Sequence, residues 1–165
     1  MTSRFNSFIP FVLKHETEFE KGHYGDWNFV RTERDPNDPG GTTRFGLDFG
    51  EHKESPWNMT EEQIDKLSYD DAVHLYWKHW CYDRIELMPP KYGEVYFNCA
   101  TMSGRTQANL ICKRQNTTEG YLKDELHVFD LIVQHRPASK EYLSGWKARI
   151  YDEAKFLGLD ILPSV

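Results

Sequence analysis

Phe5, Phe8, Ile9, Val12 and Phe19 recur at the spacing of one helix face, which predicts a first helix over about residues 4–19. Pro10 falls inside it. A proline in a helix interior costs roughly 3 kcal/mol, so Pro10 either carries that cost or stands in the first turn of a helix that starts later. "DWNFVRTE", at 26–33, is rich in aromatic and β-branched residues and reads as a strand. "DPNDPGG", at 35–41, breaks it, and "TTRFGLDF", at 42–49, reads as a second strand. The two strands together predict a hairpin with an extended turn, shaped by its prolines and glycines.

Beyond the hairpin the period is helical throughout. Thr60 with Gln63 and Ser68 with Asp71 are N-cap and capping-box pairs, each opening a helix. The second of these helices buries Ala72, Leu75, Tyr76 and Trp80 in this reading. "MPP", at 88–90, breaks the chain. Three more helices follow, within 92–115, 117–136 and 139–158, with small residues at Ala100, Ser103 and Gly104 and with Pro137 dividing the last two. The pattern predicts an α+β fold, mostly helical, with a small β-hairpin lobe at about 22–50 and a helical body at about 58–160.

A chain of 165 residues is long enough for a sizeable core and short enough for one domain. The net charge is −6 and no Lys/Arg run makes a basic patch, which argues against nucleic acid as a partner. Cys81, Cys99 and Cys112 are odd in number and form no CxxC pair, so they read as buried free thiols of a protein made in a reducing compartment. No apolar run approaches the ~18 residues of a membrane span. The N-terminus has no continuous apolar core and no cleavage site, so no signal peptide is expected. Synthesis is then cytoplasmic, and an extracellular target would require delivery by other means.

Several kinds of chemistry fail on spacing. Asp35, Asn37 and Gly40 imitate the start of a calcium loop, but Pro39 and Gly46 stand where ligands are required. His15, His23, His52, His74 and His79 are scattered and no HExxH occurs, so no metal and no cofactor are expected. Ser103 is in "MSG", not a nucleophile elbow. Carboxylates remain. Glu16 lies near the end of the first apolar helix, and the hairpin carries Asp35, Asp38, Thr42 and Thr43. An acid at a helix end facing a second acid and a hydroxyl suits glycoside hydrolysis: one group protonates the leaving oxygen, the other stabilises positive charge or orients water. The same residues also fit a solvated surface acid and a plain hairpin turn.

The order "FVLKHE … DPNDPGGTTRFGL" resembles the family 108 glycoside hydrolases, phage and bacterial N-acetylmuramidases of lysozyme-like fold. Their pattern is a helix ending in E-G-G-Y, then D-P-x-D-x-G-G-x-T-x-x-G-I. Glu16 matches the catalytic glutamate; Asp35, Asp38, Gly40, Gly41, Thr43 and Gly46 match the downstream motif. Weaker likenesses follow at 71–85, at Asn98, Ser103 and Gly104, and at Arg136, Gly145, Trp146 and Arg149. Two departures stand out. Thr17 and Glu18 replace the two glycines, and "EKGHYGDWNFVRT" is inserted between Glu16 and Asp38.

The resemblance implies a single lysozyme-like domain cutting the β-1,4 bond between N-acetylmuramic acid and N-acetylglucosamine in bacterial peptidoglycan. Glu16 would be the general acid, Asp38 the group that supports the charged intermediate or orients water, and Thr43 its brace. Asp35 would cap the turn, although the roles of Asp35 and Asp38 could be exchanged. Tyr24, Trp27 and Trp57 are candidates to stack on sugar faces, and Asn98 to contact substrate. The implied setting is an endolysin that acts on the cell wall or periplasm after delivery by a holin, a virion or a secretion apparatus. The rival readings are a lytic transglycosylase with a single catalytic Glu, and an inactive lysozyme-like protein that binds the virion or cell envelope.

Overall fold

The structure is a computed structural model that describes residues 1–34, 42–48 and 59–161. The chain forms two compact units, Met1–Asp83 and Arg84–Val165. Its mostly helical α+β architecture, with a small antiparallel sheet after the first helix, is the lysozyme-like one expected.

In the N-terminal unit, α1 (Ser3–Glu16) is opened by Thr2, whose hydroxyl accepts from the amide of Phe5 at 3.3 Å. The predicted face is buried, with Leu13 added to it. Pro10 stands inside the helix, not in its first turn. Phe5 packs edge-on against Trp77 (5.0 Å) and Trp80 (5.3 Å) of α3 (Tyr69–Tyr82). α1 stops at Glu16, three residues before the expected end, because Phe19 serves a different partner. The chain turns extended at Thr17, and Phe19 forms an antiparallel bridge with Val30. Backbone bonds Glu20 N to Phe29 O (2.8 Å) and Arg31 N to Glu18 O (2.9 Å) close the inserted segment into a loop.

The strand expected at 26–33 is mostly a turn. Asp26 accepts from the amide of Asn28, and Trp27–Phe29 forms a single 3₁₀ turn. Local side-chain-to-backbone bonding has overridden the β propensity of these aromatic residues. Only Glu33–Arg34 (β1) enters the sheet. The expected second strand is itself a hairpin, β2 (Thr42–Arg44) and β3 (Leu47–Asp48), giving the order β1-β2-β3. Phe45 and Gly46 make the connection with φ of 56° and 69°. Two positive φ values in a two-residue turn match the twist of the flanking strands. A phenylalanine there is strained, and burial of its ring (1% exposed) offsets the strain.

α2 (Glu61–Asp65) and α3 begin with the two predicted capping boxes. Arg34 pairs with Glu61 and Asp65, and Thr42 donates to Glu61 at 2.9 Å, tying the sheet to α2. Ala72, Tyr76 and Trp80 are buried as expected, while Leu75 is half-buried.

The C-terminal unit is helical: α4 (Tyr92–Arg114), α5 (Thr118–His135), a 3₁₀ segment Pro137–Tyr142, and α6 (Leu143–Phe156). Gly104 breaks the path of α4 with φ 82° and ψ 155°, a conformation that suits glycine. The three cysteines are unpaired; Cys99 is buried, Cys112 half-buried, and Cys81 exposed rather than buried.

Candidate active site

Glu16 is the last residue of α1 and is half-buried. The Phe45–Gly46 turn lies directly against it. A Cβ placed on Gly46 would fall 2.7 Å from Glu16 Cβ, 2.9 Å from its Oε2 and 3.0 Å from the hydroxyl oxygen of Tyr76. No side chain fits there. Tyr76 in turn donates to the carbonyl of Phe45 at 3.0 Å in a buried hydrogen bond, fixing the turn from the α3 side. Helix end, β-turn and α3 therefore meet at one carboxylate. A half-buried carboxyl at a helix end, with a turn packed against it, is accessible enough to serve as an acid toward a leaving oxygen.

Loss of the first glycine after Glu16 needs no compensation. Thr17 has φ −115° and ψ 127°, extended backbone open to any residue. Its hydroxyl is buried without a hydrogen-bond partner. Glu18 is exposed and lies 4.0 Å from Arg31.

Thr43 faces Glu33 across the β1–β2 ladder and donates to its Oε2 at 3.3 Å. Partial burial raises the Glu33 pKa, and the neighbouring Glu18 charge adds to this, while the Thr43 hydroxyl and Arg31 act in the opposite direction. Glu33 is a carboxyl that sequence reasoning missed. The only signal was its alternation with Thr32 and Arg34, and the cross-strand partner depends on a register that the local sequence does not state.

Tyr24 is 67% exposed at the tip of the inserted loop, with its edge toward Phe19 (5.5 Å) and Lys14 Nζ 4.6 Å over its face. Trp27 is half-buried among Phe19 (5.3 Å), Tyr69 (4.6 Å) and Phe45 (6.4 Å). It braces the loop against the turn that touches Glu16. Asp35, Asp38 and Trp57 lie outside the described residues.

Asn98, expected at the substrate, is engaged inside its own unit. It is fully buried in the C-terminal unit, where its Nδ2 donates to Glu153 at 2.8 Å and its Oδ1 accepts from Arg149 Nε (3.1 Å) and Nη2 (2.6 Å). Its amide is committed to crosslinking α4 and α6, which leaves no surface for a sugar. Among the described residues, no group of three or more His, Cys, Asp or Glu side chains could hold a metal ion.

Residues 10–104 match the family described as Glycosyl hydrolase 108. The match runs from within α1 to Gly104, the point at which α4 departs from helical geometry. No curated protein and no solved structure matches the chain.

Proposed function

The chain belongs to glycosyl hydrolase family 108, glycoside hydrolases that act on peptidoglycan, and on that premise we propose that it is an N-acetylmuramidase with Glu16 as its general acid. The bond cut is the β-1,4 linkage between N-acetylmuramic acid and N-acetylglucosamine. The observation that carries this reading is the approach of Gly46 to Glu16. Two positions of the family motif, far apart in sequence, are in contact, and the contact leaves the carboxyl accessible at a helix end.

In the proposed mechanism Glu16 protonates the glycosidic oxygen as the C–O bond breaks. A second group then stabilises the oxocarbenium-like sugar or directs water to it. Asp38 holds that role by its place in the motif, with Thr43 as brace. Glu33, bonded to Thr43, is a further acid on the same hairpin. Exposed Tyr24 offers a sugar-stacking face, and Trp27 supports it through Phe19.

Glu16→Gln tests the assignment. General acid catalysis contributes typically 10²–10⁴-fold, so the variant is expected to lose about 10³-fold in peptidoglycan turbidity assays with an unchanged melting curve. Near-parental activity would refute the role of Glu16. Mass spectrometry of the parent's products separates the rivals: reducing-end muramic acid is expected, whereas 1,6-anhydro ends would identify a lytic transglycosylase. A parent with no activity on peptidoglycan would favour the binding-protein reading.

A further inference from the structure

A concavity of about 250 Å³ lies beside the turn that touches Glu16. Trp27 and Asn28 of the inserted loop, Arg44 and Phe45 of the hairpin, and Tyr69 and Asp70 at the start of α3 line it. Phe45 connects it to the site, because the next residue, Gly46, is the one in contact with Glu16.

Its walls are chemically mixed. Trp27 and Tyr69, 4.6 Å apart and tilted by 34°, form an apolar side. Arg44 is held rigidly: its Nε donates to the Leu67 carbonyl (3.0 Å), and its Nη1 to the Val30 carbonyl (2.8 Å) and the Thr32 hydroxyl (3.2 Å). None of those hydrogen-bond partners is a carboxylate; the Asp65 charge acts on Arg44 without belonging to the lining, so a fixed cation borders the space. Asn28 adds both a donor and an acceptor, and Asp70 adds an acceptor.

We propose that this cavity is a subsite for one sugar ring of the glycan strand, built by the inserted loop and placed along the strand from the bond at Glu16. A pyranose has an apolar C–H face and a rim of hydroxyls, which calls for an aromatic wall beside pre-positioned donors and acceptors. The volume is below the ~300–1,000 Å³ of pockets for drug-sized ligands, which fits a single ring. A simple anion fits poorly, since Asp70 borders the same space as Arg44. The inference rests on the muramidase reading for the identity of the glycan, while the test reads affinity alone.

Calorimetry in a Glu16→Gln background measures binding of uncrosslinked glycan strands from peptidoglycan. Adding Asn28→Ala and Asp70→Ala together is expected to weaken binding about 10-fold, the equivalent of one or two hydrogen bonds. Trp27→Phe keeps an aromatic wall of smaller area and is expected to weaken it about 3-fold. If the double variant melts early, Asn28→Ala alone serves, since Asn28 is exposed and its amide bonds the neighbouring Asp26; about 3-fold is expected. Affinity within twofold of the Glu16→Gln parent in these variants overturns the proposal, as does a parent that does not bind the strands. Failure of the muramidase reading has a different signature: the parent chain, with Glu16 intact, would leave the strands uncut or release 1,6-anhydro ends, whatever the affinity of the variants.

Discussion

In the N-terminal unit, Glu16 sits half-buried at a helix end with a glycine turn against it. In the C-terminal unit, Glu125 of α5 and Glu153 of α6 are wholly enclosed. Glu153 Oε2 accepts from Asn98, but its Oε1 and both oxygens of Glu125 accept no hydrogen bond of good geometry. Burial pushes Glu125 up to about 7, against the opposing influence of the Cys99 thiol and Arg149. Glu153 is held well above the ordinary carboxylate value, first by burial and then by the charge of Glu125. A perturbed acid is often a sign of a functional site. Here two acids with raised values are sealed away from any polymer, whereas Glu16, the acid in the family motif, is half-buried at a helix end. Perturbation alone does not mark a site; access to solvent is also required.

Removing the cation that opposes the buried acids should give the largest effect on stability. Arg149→Leu would remove two charge-assisted hydrogen bonds to the buried Asn98 carbonyl, each worth about 1.5–3 kcal/mol, together with the positive charge that acts on both enclosed carboxyls. A large drop in melting temperature is expected, and an unchanged melt would show that the network contributes little. Gly46→Ala attacks the other region. The added methyl would meet the Cβ of Glu16, and the φ of 69° is unfavourable for alanine. A loss of about 1–3 kcal/mol is expected, together with a fall in lysis larger than the stability loss explains. Normal activity in that variant would separate the turn from the site.

The pH dependence of stability is expected to be smaller and to belong to the C-terminal unit. Folded Glu125 holds its proton up to about pH 7, while in the unfolded chain it titrates near its ordinary 4.5. Between those values the folded state binds more protons. The stabilisation is therefore full below about 4.5, declines as pH rises through the window, and is lost above about 7. Glu125→Gln should flatten this slope in melts across the range, with Glu153, Glu94 and Arg149 retained around it. A slope that stays the same would place the titration elsewhere. Thr43→Ala should have the mildest effect, roughly a 3- to 10-fold loss of activity for one hydrogen bond. Because the Thr43 hydroxyl lowers the Glu33 pKa, its removal should also move any Glu33-dependent limb of the pH–activity profile upward. An unmoved profile would exclude Glu33 from the chemistry.

The sequence alone determined what depends on near neighbours. Thr60 with Gln63 and Ser68 with Asp71 started helices where they were expected, because a capping box is closed within three residues. The apolar stripe of α1 was legible, and so was the placement of Glu16 near its end. The motif around Gly46 identified the family. Only the tertiary structure decided where those pieces meet. Phe19 kept the helical period yet left the helix to pair with Val30, and "DWNFVRTE" gave up a strand to a turn capped by Asp26. The partnership of Glu33 with Thr43 followed from strand register, and the contact of Gly46 with Glu16 from packing of the hairpin on α1 and α3. Asn98 was drawn into a network with residues more than fifty positions away. Short-range signals are complete within a few residues of chain, whereas register, burial and the closure of a site depend on which distant surfaces pack together, and no local pattern encodes that choice.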